Sequence, residues 1–261
     1  MCGRIVVVDT VEAIEKRFNV EAQNVQLEMN FNLGIGQMAP VITDSQPRQL
    51  QLFQFGLTPN WAKKQMYLFN ARAEGDHNPE DDPNYPGAKG IIQKPAFRKP
   101  IRSQRCLVVA SAFLEGPKNI GLSKPYLVYL QKGRPFALAG VWDTWTDANG
   151  NQINSFAVVT TTANSLLQSI GHPRMPVILD EEEEKTWLNP DTHLSVITNM
   201  LDPYPPELMN AYPISPECKN QKNNHKELIM PQGERLQPEY EFKVTKNIMK
   251  EGWGGGRRPQ D

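Results

Sequence analysis

The chain has 261 residues, enough to bury a large core without covalent staples, and its 28 basic and 29 acidic side chains leave a net charge of −1. That balance excludes a protein-wide positive field, so contact with nucleic acid has to come from a local patch. Three cysteines without a C-x-x-C spacing exclude a disulfide framework and a structural zinc site, and no apolar run has the length of a spanning helix.

In chain order, residues 1–8 read as a strand, with Ile5, Val6, Val7 and Val8 in a row. TVEAIEKRFNV (10–20) reads as a helix, because Val11, Ile14 and Phe18 recur at spacings of three and four behind a Thr10 cap. RQLQLFQFGLTP (48–59) alternates loosely, as a strand does. GDHNPEDDPNYPGAKG (75–90) is polar and turn-forming, a surface loop. RCLVVASAFLE (105–115), PYLVYLQ (125–131), PFALAGVWDTW (135–145) and INSFAVVTT (153–161) are further strands, and Asn149-Gly150 marks a hairpin between the last two. TANSLLQSI (162–170) and LDEEEEKTWL (179–188) are helices, the second capped by Asp180, where the acidic run suits the helix dipole. This mixed order excludes a doubly wound sheet. One domain is expected over residues 1–250, followed by a Gly-rich, disordered tail at 251–261. No secretory leader pattern opens the chain, so a cytoplasmic setting away from membranes is expected.

A cysteine directly behind the initiator methionine is an oxidation liability unless it has a task. With Met1 removed, Cys2 carries an α-amine and a β-thiol on one carbon skeleton. The α-amine titrates at about 7.7–8.0, against about 10.4 for lysine, so about a tenth of it is neutral at pH 7. It is the better nucleophile toward an aldehyde, and the thiol can close on the resulting Schiff base to form a thiazolidine. Attack of the thiol on an acyl carbon would instead make Cys2 an ordinary N-terminal hydrolase nucleophile.

Six segments occur in order: MCGR at the start, GLTPNWA (56–62), FNARAE (69–74), RCLVVASAFLE (105–115), AGVWDTW (139–145) and HPRMPVIL (172–179). Together they resemble the SOS response-associated peptidase (SRAP) family, which includes proteins that crosslink to abasic sites in single-stranded DNA. The resemblance implies an α+β single domain with a largely antiparallel, barrel-like sheet flanked by helices. It also implies single-stranded DNA containing abasic sites as the partner; no metal or organic cofactor is indicated, and a monomer is expected. Cys2 matches the family's crosslinking nucleophile, and Asn70 the polar residue beside it. Glu115 matches the active-site carboxylate, suited to take a proton from the terminal ammonium and to assist autocatalytic loss of Met1. His172 matches the family's histidine, whose imidazole can move protons at the sugar oxygen. Arg4, Arg72 and Arg174 lie in the same motifs and suit phosphate. Trp61 resembles the aromatic at the DNA groove, where an indole can stack on an unpaired base.

The segment 89–105 adds Lys89, Lys94, Arg98, Lys99, Arg102 and Arg105 without an acid, and its Arg98, Lys99 and Arg102 are the expected electrostatic footprint. The chain departs from the family in having Phe113-Leu114 before Glu115 and Gly116 after it, where an aromatic pair and a tryptophan are usual. Residues 75–90 look like an insertion with acids at Asp76, Glu80, Asp81 and Asp82, able to weaken or redirect DNA binding. Residues 200–261 match no family motif. Taken singly, each candidate has an ordinary alternative: a turn asparagine, an exposed strand-end glutamate, a loop histidine, a core tryptophan, a solvated basic face. Other functional classes stay open as well. One is an N-terminal-nucleophile amidohydrolase of the glutamine amidotransferase type, which also begins Met-Cys-Gly. Another is a protease acting in trans, and a third is a non-covalent single-stranded DNA-binding module.

Overall fold

The computed structural model describes residues 2–23, 25–131 and 135–238. Among these the chain forms thirteen strands and five α-helices. It begins with β1 (Arg4–Val7), α1 (Val11–Phe18), β2 (Asn30–Gly34), β3 (Met38–Thr43), β4 (Gln46–Phe55) and the short β5 (Asn70–Arg72). Then come α2 (Pro100–Ser103), β6 (Arg105–Ala110), β7 (Ala112–Glu115), β8 (Tyr126–Leu130), β9 (Phe136–Thr146) and β10 (Gln152–Thr162). The described chain closes with α3 (Ser165–Ser169), β11 (Arg174–Pro176), β12 (Ile178–Leu179), α4 (Glu181–Leu188), α5 (Leu194–Asn199) and β13 (Met209–Pro213).

The fold is α+β, a single domain around a closed barrel. β3 pairs with β4 and β6, β6 with β9, β9 with β10, and β10 returns to β4. Every contact in that ring is antiparallel except β4–β10, a short parallel pairing through Ser155↔Gln54 and Phe156↔Phe55. Closure leaves these five strands no free edge. A second, antiparallel sheet runs in the order β13-β8-β7-β1-β2.

Burial on both faces explains why β6, β9 and β10 read as near-continuous apolar runs rather than alternating ones. One face of the ring turns Val41, Cys106, Val108 and the stacked rings of Phe55 and Phe156, whose centroids lie 5.1 Å apart, into a shared cluster with Ile5, Val7, Phe113 and Val128 of the second sheet. The other face, with Leu107, Val109, Ala157 and Val159, lies against Ile14, Trp187 and Ile197 of the helices. Gly140 is required on the first face, since a Cβ there would meet Cys106 Sγ at 2.7 Å. The second sheet's outer face, with Val6, Ala112 and Leu114, is covered by Cys218 and Leu228 from two 3₁₀ turns near the C-terminus.

Helix boundaries follow the residues that satisfy open backbone groups. Thr10 Oγ1 accepts from Ala13 N, and Asp180 forms a reciprocal capping box with Glu183. Trp187 on α4 is fully buried and donates its indole N–H to Cys106 O at 3.0 Å. The hairpin at Asn149-Gly150 joins β9 to β10 as expected, with Gly150 at φ 84°.

Two expectations need correction. The single strand expected at 105–115 is two strands in two sheets, β6 in the barrel and β7 beside β1. Ser111 breaks it: its backbone N–H donates to Val6 O, while its hydroxyl accepts from Val8 N and donates to Asp9. The loop 75–90 is not purely surface, since Asn78 and Asp81 are buried. The expected tail at 251–261 lies outside the described residues. No helix among those described is long and apolar enough to cross a membrane.

Truncating Phe156 removes one of the two stacked, fully buried rings of the barrel. Phe156→Ala is expected to lower unfolding free energy by about 3–5 kcal/mol. The Phe55→Ala, Phe156→Ala double variant is expected to lose less than the sum of the singles, because the two rings share one packing contact. Urea denaturation at one pH measures both.

Candidate active site

Strand pairing places the N-terminus. β1 runs antiparallel to β7 with Ile5 opposite Phe113 and Val6 opposite Ala112, so the residues before Arg4 pass the end of β7, where Glu115 sits. Cys2 is 1% exposed. β5 is held parallel to β10 with Asn70 opposite Val158, and the Asn70 side-chain amide donates to Cys2 O at 2.9 Å and to Phe69 O at 3.0 Å. Asn70 Oδ1 is buried, and no described residue donates to it.

The histidine arrives by a helix end. α3 ends at Ser169, and the turn beyond it closes through Gly171, with φ 84°, whose N–H donates to Gln168 O, while the His172 N–H reaches back to Leu167 O. β11 then pairs with β10. This turn sets His172 Nε2 3.3 Å from Glu115 Oε2, with both side chains 6% exposed. His172 Nδ1 lies 2.8 Å from Arg174 O and 3.3 Å from Arg174 N. The shorter contact assigns the proton to Nδ1, which leaves Nε2 to accept from Glu115.

Distance alone would make this an ion pair, but burial decides otherwise. Desolvation raises Glu115 to about 7 and lowers His172 to about 4, so between those values the pair is a carboxylic acid beside a neutral imidazole. Burial and the adjacent Glu115 raise the Cys2 thiol well above its ordinary range. The pair opens into a pocket of about 260 Å³ lined by Gly3, Arg4, Phe69, Gly116 and Lys118 among others. Gly116 has no room for a side chain: a Cβ would lie 2.2 Å from Gly121 O.

The structure thus brings Cys2, Asn70, Glu115 and His172 together. Arg4 lines the same pocket, half-buried. Arg174 is 2% exposed and paired with Glu74 at 2.9 Å, and Arg72 is paired with Asp81 at 3.0 Å. Trp61 stands 59% exposed between β4 and β5, on a loop anchored by Asn60 N to Asp143 and by the Trp145 indole to Ala62 O. The basic segment 89–105 is largely engaged in the fold. Lys89 pairs with Asp202 and Lys94 with Asp76, while buried Arg105 donates to Trp187 O and Asn189 O. Arg98, Lys99 and Arg102 are exposed, but none lines the pocket. Sequence reasoning missed Lys118 on the pocket wall and the buried Glu74, whose place in FNARAE was its only signal. Among the described residues, no cluster of three His, Cys, Asp or Glu side chains is placed to hold a metal ion.

The sequence and the barrel backed by a second sheet have counterparts among known proteins. The sequence profile of the SOS response associated peptidase (SRAP) family matches residues 1–221, and the chain belongs to that family. It is 33% identical over 237 residues to the abasic site processing protein YoqW of Bacillus subtilis, spanning 88% of this chain and 99% of that one. It is 25% identical over 222 residues to the abasic site processing protein HMCES of Rattus norvegicus, spanning 72% of this chain and 58% of that one. A crystal structure of a protein from Bacteroides thetaiotaomicron has a TM-score of 0.73 at 27% identity and covers 89% of this chain and 100% of that one.

The two buried titrations have opposite effects on stability. Glu115 keeps its proton in the folded chain to about pH 7 but loses it near 4.5 when unfolded, so alone it makes stability fall as pH rises through that window. His172 loses its proton near 4 when folded and near 6.5 when unfolded, so alone it makes stability rise between those values. Relative to the parent, Glu115→Gln is expected to add an upward slope between pH 4.5 and 6.5 and His172→Gln a downward one, each at most about 1.4 kcal/mol per pH unit. Urea midpoints across that range measure the slopes, and identical slopes in all three proteins would contradict the assignment.

Proposed function

We propose that the protein acts on DNA containing abasic sites, binding the single strand and joining Cys2 covalently to the ring-opened aldehyde. The observation that carries this reading is the placement of Cys2, where Asn70 fixes its carbonyl and the next residue, Gly3, lines the pocket that Glu115 and His172 also line. Hydrolysis of the Met1–Cys2 bond consumes one water and frees the amine. The neutral amine adds to the aldehyde carbon to give a carbinolamine, which loses water to leave the imine. The thiol sulfur then bonds to the imine carbon and its proton passes to nitrogen, closing a thiazolidine.

Each proton transfer has a group beside it. A carboxyl poised near pH 7 can take the ammonium proton and return it to the departing hydroxyl. A neutral His172 backed by Arg174 O can relay a proton to or from the sugar ring oxygen. Asn70 Oδ1, buried without a donor, suits a sugar hydroxyl or the freed amine. The same electrostatics disfavour a cysteine hydrolase acting on other chains, which relies on a thiolate–imidazolium pair, because burial raises the Cys2 thiol and lowers the His172 imidazole. The relatives' names, abasic site processing proteins, support the substrate class.

Intact-protein mass spectrometry, before and after mixing with a single-stranded oligonucleotide bearing one abasic site, tests the scheme. The expected starting mass lacks Met1, and the expected shift is the oligonucleotide less one water. Cys2→Ala should form no heat-stable adduct, and Glu115→Gln should form it about 100-fold or more slowly. A heat-stable adduct with Cys2→Ala would overturn the assignment of the nucleophile. A parent protein that binds the strand but never shifts in mass would leave a binding module without the chemistry.

A further inference from the structure

Beside the pocket, loop 75–90 delivers a carboxylate into a nest of cations. Asp81 Oδ1 lies 3.0 Å from Arg72 Nη2 and 3.6 Å from Arg174 Nη1, and Oδ2 lies 3.3 Å from Lys118 Nζ. The Asp81 side chain is only 8% exposed. Its backbone takes φ 58°, in the left-handed region that aspartate enters more readily than most non-glycine residues. The loop is braced to hold it there: Asn78 accepts from Asp82 N and donates to Asp82 O, and the Asp81 N–H donates to Asn78 O.

This nest adjoins the chemistry. Lys118 lines the pocket that holds Glu115 and His172, and Arg72 follows Asn70 by two residues on β5. Glu74 is already occupied by Arg174, at 2.9 Å, so Asp81 is the anion that offsets Arg72 and Lys118. The loop's base is closed independently of its tip. Gly75 and Gly90 abut so closely that a Cβ on Gly75 would lie 2.9 Å from the Gly90 carbonyl carbon, and Ile91 N donates to Ala73 O. The intervening residues are therefore an excursion closed at its own base, and Arg72 ties it to β5 through Asp81 and the carbonyl of Asn78.

We infer that Asp81 is an internal stand-in for a phosphodiester: it occupies the Arg72–Lys118 anion site at rest, and an incoming nucleic-acid phosphate displaces it together with the loop tip. The inference rests on the proposed DNA-binding function and adds a self-inhibitory contact to it. A resident carboxylate lowers apparent affinity by the fraction of molecules in which the site is open. Removing its charge raises affinity, with no new contact to the strand.

The test compares the parent with Asp81→Asn, which keeps the shape and a hydrogen-bonding amide. A second variant replaces residues 76–89 by a short Gly-Ser bridge across the abutting glycines, in case the first does not fold. Two probes are used: a short labelled thymidine oligonucleotide, read by anisotropy, and inorganic pyrophosphate, read by calorimetry. Both variants are expected to bind both probes about tenfold more tightly at equal salt, and adding Arg72→Ala is expected to abolish the gain. Unchanged or weaker binding of both probes by both folded variants would overturn the inference and make Asp81 a structural prop. Tighter pyrophosphate with no oligonucleotide bound by any variant would uphold the anion site while removing the DNA-binding reading.

Discussion

The site depends on the pairing of β1 between β2 and β7. Four residues, Arg4–Val7, carry the first ordered strand, with Ile5, Val6 and Val7 all buried. Backbone hydrogen bonds on both sides and apolar contacts on both faces hold a terminus that would otherwise fray. Because the register is antiparallel, the start of β1 and the end of β7 coincide, and Cys2 is brought toward Glu115 without a dedicated loop. A one-residue slip would turn Ile5 and Val7 away from the shared core and move Cys2 away from Asn70.

The barrel supplies the remaining two groups through its most shared strand. β10 pairs with β5 on the Asn70 side and with β11 on the His172 side, so both residues are referenced to one rigid element. Burial then sets the chemistry more than pairwise charge does. Glu115 and His172 lie within ion-pair distance, yet each is pushed toward its neutral form because neither is solvated. Glu115 in such a pair can take up or release a proton near neutrality without first breaking a strong ionic contact.

Much of this was legible in the sequence, for identifiable reasons. The helix at 11–18 announced itself by its cap and spacing, the hairpin by Asn149-Gly150, and α4 by Asp180. The four central residues came from ordered motifs rather than from periodicity, which cannot say that Asn70 lies near Cys2. What stayed hidden was relational. Nothing local in RCLVVASAFLE says that Ser111 hands the chain from one sheet to another, since that depends on Val6, Val8 and Asp9. The one-signed run at 89–105 reads as a surface patch, although Arg105 is buried against the end of α4 and two lysines are matched by distant aspartates. Charge counted along the chain takes no account of partners folded in from elsewhere.

The burial of Cys2 has a consequence for the life of the molecule. Under the proposed chemistry the aminothiol is the reagent itself, so one lost to a stray oxidant or a small metabolic aldehyde is a copy withdrawn from service. At 1% exposure, with its thiol held protonated, Cys2 is a dormant reagent, sheltered from chance encounters in proportion to its burial. Under that chemistry selectivity is a matter of admission to a buried group rather than of the intrinsic reactivity of the sulfur.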